Sequence, residues 1–200
     1  ATSDSPIVSY VQMPIDRDQF WKMLEPLHPQ AESFCRKLTG NRLDGDDLYQ
    51  EAVLCALTHS DSLRKEEAFK PWLYRIILNR FRNRARREWW RRHLRLSDLR
   101  PDEEPSRDPT SGLDSKRYLE LAMAHLKTKE RALVTLFELE GWSLREVASL
   151  LDEPEGTIKA RLSRARARMR KALMSHLTRK SEQKRTEERY ELPESTASSE

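Results

Sequence analysis

Glycine, cysteine and long apolar runs are all scarce in this sequence, and each scarcity removes a class of protein. Only 5 glycines in 200 residues, beside 35% charged residues, favour helices over turn-rich sheets. The 2 cysteines, Cys35 and Cys55, sit in apolar helical contexts and read as reduced core thiols, not as a disulfide framework. No CxxC accompanies them, and His28, His59, His93, His125 and His176 are scattered, which argues against a metal site or a metal cofactor. No apolar run approaches the ~20 residues needed to span a bilayer. No secretory signal is visible, so the expected location is cytoplasmic, with no membrane association. Neither a nucleophile triad nor paired acids placed for catalysis can be found, so no enzyme and no cofactor is expected.

What is abundant is arginine, and it is segregated. The net charge is only +4. Yet Arg80, Arg82, Arg84, Arg86, Arg87, Arg91, Arg92 and Arg95 crowd one stretch, opposed there only by Glu88. Lys159, Arg161, Arg164, Arg166, Arg168, Arg170 and Lys171 crowd a second, with no acid between them. Solvated helix faces usually alternate acids with bases. Two unopposed blocks point instead to a polyanion held at two places.

The hydrophobic pattern is helical throughout and predicts an all-α fold of two small domains. Residues 1–14 are polar, carry Pro6 and Pro14, and read as a tail. Phe20, Trp21, Leu24 and Leu27 begin the helical spacing of a first domain, residues 15–96. A helix over Gln30–Leu38 stops at Gly40, and another begins near Asp44–Asp47, where acids suit a helix N-terminus. Residues 58–68 form a loop, and a long helix follows from about Phe69 to Leu96 with Trp72, Leu73, Ile76 and Ile77 as its stripe. Residues 97–112, rich in proline and acid, form a flexible linker. The second domain spans 113–177, with Leu119, Met123 and Leu126 in one helix and Ala132, Leu133, Leu136, Phe137 and Leu139 in the next, stopped by Gly141. Residues 178–200, mixed in charge, read as a disordered tail.

The segment from Trp142 to Ala172 carries the most information. Ser143-Leu-Arg-Glu146 is a capping box that starts a short helix. Leu144, Val147, Ala148 and Leu151 supply its apolar face. Asp152 and Glu153 make the turn, and Pro154 fits the first position of the next helix. That helix puts Ile158, Leu162, Ala165 and Met169 on one side and leaves its cations elsewhere. A short helix, a tight turn and a basic second helix is the helix-turn-helix that docks in a major groove about 12 Å wide. Candidate DNA contacts are Glu155, Gly156, Thr157, Lys159, Ala160, Arg161, Ser163 and Arg164. Gly156, lacking a side chain, would let backbone approach the duplex closely.

Here the sequence resembles the sigma factors of bacterial RNA polymerase. Gly156 through Arg166 meets the pattern G-T-[IV]-[KR]-x-R-[LI]-x-R-A-R of their region four. The resemblance implies binding to the minus-thirty-five promoter element and to the flap of the polymerase beta subunit. A second segment, residues 44–57, is similar to region two-point-two through Asp47, Leu48, Gln50 and Glu51. That implies docking on the clamp helices of the beta-prime subunit. Residues 69–87 are similar to regions two-point-three and two-point-four, with W-L-x-x-I-x-x-N met by Trp72, Leu73, Ile76 and Asn79. Asn83 stands where many relatives carry aspartate, and Leu63 stands at a loop position often aromatic in relatives.

By that resemblance the loop at 58–70 and the helix after it melt and hold the minus-ten element, with Leu63, Asn79, Arg80, Asn83, Arg84 and Arg87 as candidate contacts. The physics agrees: single strands bind along basic tracks with stacked or pocketed bases, and Arg80, Arg84, Arg87, Arg91 and Arg95 could form one. Trp72 reads as core or as a stacking platform; of Trp89 and Trp90, one packs on the domain and the other faces DNA or solvent. Two domains alone, with no match to the further regions of housekeeping sigma factors, resemble the extracytoplasmic-function (ECF) subfamily of the sigma-70 family. Such a protein is a promoter-specificity subunit of core RNA polymerase, serving a stress- or signal-responsive regulon and held by an anti-sigma factor. Its linker runs toward the polymerase active-site channel in relatives. The competing reading is a stand-alone helix-turn-helix regulator, which would usually dimerise; no dimer helix or heptad seam is evident here, so no obligate homo-oligomer is expected.

Overall fold

The computed structural model describes residues 16–63, 65–94 and 113–190. The expected tail at 1–14, the linker at 97–112, Arg95 and Leu96, the side chains of Trp90 and Arg91, and residues 191–200 lie outside the described residues. Among the described residues every regular element is helical. Contacts divide the chain into two compact units, residues 1–96 with 148–152 and residues 97–147 with 153–200.

The first unit holds α1 (Arg17–Leu24), α2 (His28–Thr39), α3 (Arg42–Thr58) and α4 (Phe69–Leu94). Two of these helices start on a side-chain cap. Asp16 caps α1, its carboxylate accepting the Gln19 N–H at 2.7 Å. Asn41 caps α3, accepting the Asp44 N–H at 2.8 Å. Helix α3 therefore begins before the acids that the sequence reading took as its start, because an asparagine side chain satisfies the orphan amides directly. Gly40 ends α2 at φ 83°, a left-handed conformation that glycine adopts without a Cβ penalty.

The core of this unit is aromatic and aliphatic. Phe20, Phe34, Leu38, Leu48, Leu73, Tyr74 and Ile77 are fully enclosed. Phe34 stacks on Tyr74 with centroids 4.7 Å apart, and Phe20 meets Phe69 edge-on at 5.5 Å. Such pairs add about 0.5–1.5 kcal/mol beyond the area they bury. Helix α3 packs on both α2 and α4. Cys35 is buried, and burial pushes its thiol well above the usual range; Cys55 is only half-buried.

The second unit holds α5 (Leu113–Ala124), α6 (Thr128–Val134), the start of α7 (Leu144–Leu151, which passes to the first unit from Ala148) and α8 (Glu155–Tyr190). Helix α6 runs on into a π-turn over Thr135–Leu139. Thr135 is buried there and its hydroxyl donates to the Arg131 carbonyl at 2.8 Å. Gly141, at φ 72°, ends the segment as its sequence suggested. Helix α8 packs on α5 and α6, and its Ile158, Leu162 and Ala165 are buried. It continues to Tyr190, through residues whose mixed charge alone had suggested a tail from 178.

Candidate nucleic-acid interface and partner groove

The capping box forms as its spacing predicts. The Ser143 hydroxyl accepts the Glu146 N–H at 3.2 Å, and the Glu146 carboxylate accepts the Ser143 N–H at 2.8 Å. Of the expected apolar face of α7, Val147 and Ala148 are buried; Leu144 and Leu151 are half-buried and Leu150 is buried instead. Asp152 makes the turn at φ 54°, a left-handed conformation that aspartate tolerates better than most residues. Pro154 stands one position earlier than expected. It precedes α8 and its carbonyl accepts the Ile158 N–H at 3.1 Å, which makes it the cap instead of the first helical residue. Proline suits that place too, since a cap residue needs its carbonyl and not its N–H.

Helix α8 then sorts its residues by face. Ile158, Leu162, Ala165 and Ala172 are buried and Met169 half-buried. Glu155, Gly156, Thr157, Lys159, Ala160, Ser163 and Arg164 are exposed. A Cβ built on Gly156 meets nothing within 4 Å, so the fold itself does not require glycine there.

The cations on the flanks of α8 are not all free. The Arg161 guanidinium pairs with Glu153, which also faces Lys129 at 3.6 Å. Arg161 therefore differs from its expected role: its side chain is 16% exposed and turned onto the protein. Arg168 pairs with Glu130 at 3.3 Å, and Arg166 with Glu138 through Nε at 2.8 Å. The carboxylates of Glu153, Glu130 and Glu138 thus each hold one arginine of the basic block, leaving Lys159 and Arg164 with no acidic partner among the described residues.

In the first unit, α4 buries Leu73, Tyr74, Ile77, Leu78 and Phe81. The stripe Arg80–Arg84–Arg87, expected to form the strand track, lies on the side facing α3. Arg84 donates to the Asp44 carbonyl at 3.2 Å and lies 3.7 Å from its carboxylate. Arg87 approaches Glu51 at 4.0 Å but stays 62% exposed. Arg80 also faces α3, where Cys55 first and then Glu51 raise its guanidinium pKa. The open face of α4 carries Asn79, Arg82, Asn83 and Arg86. Arg82 and Arg86, not among the expected contacts, share this face because their spacing from Asn79 places all four on one side of a helix. Leu63 is buried at 6% exposure and packs the loop onto the unit. Trp72 is half-buried beside Phe69, centroids 5.8 Å apart, and Trp89 is half-exposed.

Among the expected polymerase contacts, Asp47 and Gln50 are exposed and Glu51 is half-buried. Leu48 is 0% exposed and belongs to the core; helix periodicity turns it away from Asp47 and Gln50. Beside Gln50 lies an apolar groove of about 690 Å³ lined by Trp21, Leu24, His28, Tyr49, Val53 and Leu54. Trp21, one of the residues at helical spacing in α1, is 46% exposed, and Leu54 is 64% exposed. His28 Nδ1 and the Tyr49 hydroxyl meet at 2.6 Å in the wall, and burial pushes the Tyr49 phenol up to about 12. Large exposed apolar side chains around a groove mark a docking surface. No group of side chains able to hold a metal ion occurs among the described residues.

Both units match known families. Residues 23–91 match the Sigma-70 region 2 model and residues 116–169 the Sigma-70, region 4 model. The chain belongs to the sigma-70 family of RNA polymerase sigma factors, in its ECF branch. It is 31% identical over 158 residues to the ECF RNA polymerase sigma factor SigM of Mycobacterium tuberculosis, covering 79% of this chain and 79% of that relative. It is 27% identical over 169 residues to SigW of Bacillus subtilis, covering 79% and 90%. Among solved structures, the sigma factor RpoE of Bartonella quintana, in complex with the anti-sigma factor NepR, superposes with a TM-score of 0.63 at 27% identity, covering 78% of this chain and 98% of that one. The chain is accordingly a sigma subunit, and the stand-alone regulator is not favoured.

Proposed function

We propose that this sigma subunit reads a promoter at two places and attaches to core RNA polymerase between them. The exposed N-terminal face of α8 enters the major groove at the minus-thirty-five element, with Lys159 and Arg164 as its cationic readers and Gly156 at the point of closest approach. The open face of α4 takes the melted minus-ten strand through Asn79, Asn83, Arg82 and Arg86. The α3 surface at Asp47 and Gln50, with the apolar groove beside it, receives the beta-prime clamp helices. The beta flap meets the second unit.

The observation that carries this reading is the exposed face of α8, free of acids from Gly156 to Lys171, set behind a formed capping box and turn. Opening is driven by differential binding: the first unit holds single-stranded DNA better than duplex. No covalent step is assigned, in keeping with a family of specificity subunits. No described helix is long and apolar enough to cross a membrane, which accords with action beside polymerase in the cytoplasm. An anti-sigma factor, as in the Bartonella complex, is the expected regulator. Run-off transcription with purified core polymerase on a genomic library tests the whole assignment. Sigma-dependent start sites sharing two upstream elements are expected; no sigma-dependent transcript, or no retention of core in a pull-down, would sink it.

A further inference from the structure

The position of Glu153 gives it a task that its place in the turn does not announce. It follows the left-handed Asp152 and precedes α8 by two residues. Its carboxylate faces Lys129 on α6 at 3.6 Å and pairs with Arg161 on α8. Glu153 and Arg161 are 20% and 16% exposed. The other paired arginines of α8, Arg166 and Arg168, are 53% and 46% exposed. Among the described residues the Glu153–Arg161 pair is thus the most shielded ion pair on the recognition helix, and shielding makes a pair geometrically demanding and costly to break. Arg168, seven residues on, lies on the same flank of α8 and is held by Glu130. Arg166, on the other flank, is held by Glu138.

We propose that Glu153 is a positioning residue for promoter reading: through Arg161 it fixes the roll of α8 about its axis and keeps one cation of the basic block off the DNA. This rests on the reading that α8 enters the major groove. Side chains on an α-helix step by about 100° per residue, and base readout tolerates errors of roughly 10–20° in orientation. Apolar packing through Ile158, Leu162 and Ala165 sets which side faces inward but is non-directional. Ion pairs on both flanks supply the missing angular constraint. Holding Arg161 inward has a second effect. A cation free to reach phosphate adds affinity to every sequence alike, so withdrawing it raises discrimination.

The test is binding of holoenzyme, made with the full chain, to duplexes with and without the upstream element, across a salt series. Lys159→Ala should flatten the plot of log affinity against log salt by about 0.9 for one lost phosphate contact. Arg161→Ala should leave that slope unchanged while lowering the ratio of specific to non-specific affinity several-fold. Glu153→Gln, which frees Arg161, should steepen the slope by about 0.9 and lower the same ratio. The charge-swapped double variant Glu153→Arg with Arg161→Glu should restore the ratio, and it guards against a fold defect in either single variant. The proposal is overturned if Arg161→Ala flattens the slope as Lys159→Ala does, since Arg161 then contacts phosphate. It is equally overturned if Glu153→Gln changes neither slope nor ratio. If Lys159→Ala itself has no effect, the major-groove reading fails and the proposal falls with it.

Discussion

Gly45 lies so close to Arg36 that a Cβ built on it would come within 2.5 Å of the Arg36 Cα, a backbone atom that cannot swing aside. This contact sets the distance between α2 and α3, and α3 carries the expected polymerase contacts Asp47 and Gln50. Gly45→Ala should therefore push the two helices apart despite the higher helix propensity of alanine. Forced overpacking costs typically 1–3 kcal/mol. Denaturant unfolding of the variant should show a loss of about that size, with core-polymerase affinity reduced in parallel.

The same helix pair is tied by charge. Arg36 Nε donates to Asp46 Oδ1 at 2.6 Å and its other arm reaches Glu32 at 2.8 Å. The hydrogen bond from Arg36, then its charge and that of Arg42, hold the Asp46 carboxyl below its ordinary value of 3.8. A carboxyl depressed on folding contributes stability above its unfolded pKa and loses it as pH falls through the folded one. Thermal melts of wild type and Asp46→Asn should therefore differ at neutral pH and converge as pH drops below 3.8. Curves that stay parallel down to strongly acidic pH would show that the pair contributes nothing.

Most of the helical framework was legible because its signals are local: the Ser143–Glu146 box, Gly40 and Gly141 as stops, and the periodic apolar stripes all act within one turn of chain. What was not legible depends on neighbours distant in sequence. Arginine spacing on α4 marks a basic stripe but does not say that Asp44 waits opposite Arg84. Likewise nothing near Arg161 reveals that Lys129 and Glu153 converge beside it. Leu48 by its motif and Leu63 by its place in the loop stood at expected contact positions, yet their own hydrophobicity was the guide to their burial. Spacing alone also leaves open which apolar residues stay outside: Trp21, beside the buried Phe20, is 46% exposed and lines the groove with α3 residues.

Gly156 separates the needs of the fold from those of the interface. It is exposed within α8, and an added Cβ has open space around it. Replacing glycine by alanine in a helix is favourable by roughly 0.5–1 kcal/mol. Gly156→Ala should thus leave the protein as stable or slightly more so, while weakening binding to upstream-element DNA at least several-fold. Paired melting and footprinting measurements decide. Unchanged footprints would mean that the backbone at Gly156 does not approach the duplex.

The two sides of α4 make opposite predictions for chemically identical substitutions. Arg84 donates to a backbone carbonyl and faces the Asp44 carboxylate, with its side chain only 20% exposed. Hydrogen bonds to charged groups contribute about 1.5–3 kcal/mol, partly offset here by solvent, so Arg84→Ala should cost about 1–2 kcal/mol of folding stability. Arg82 and Arg86 are exposed on the face shared with Asn79 and Asn83. Alanine at either should change stability by no more than about 0.5 kcal/mol. Both should instead weaken capture of the melted strand, each lowering the salt slope of single-strand binding by about 0.7. Permanganate reactivity of promoter thymines in the open complex reads this directly. Reactivity should fall for Arg82→Ala and Arg86→Ala with melting temperature unchanged. If Arg84→Ala instead abolished opening while leaving stability intact, the strand would have to pass on the α3 side of α4, and the original stripe of Arg80, Arg84 and Arg87 would be the track after all.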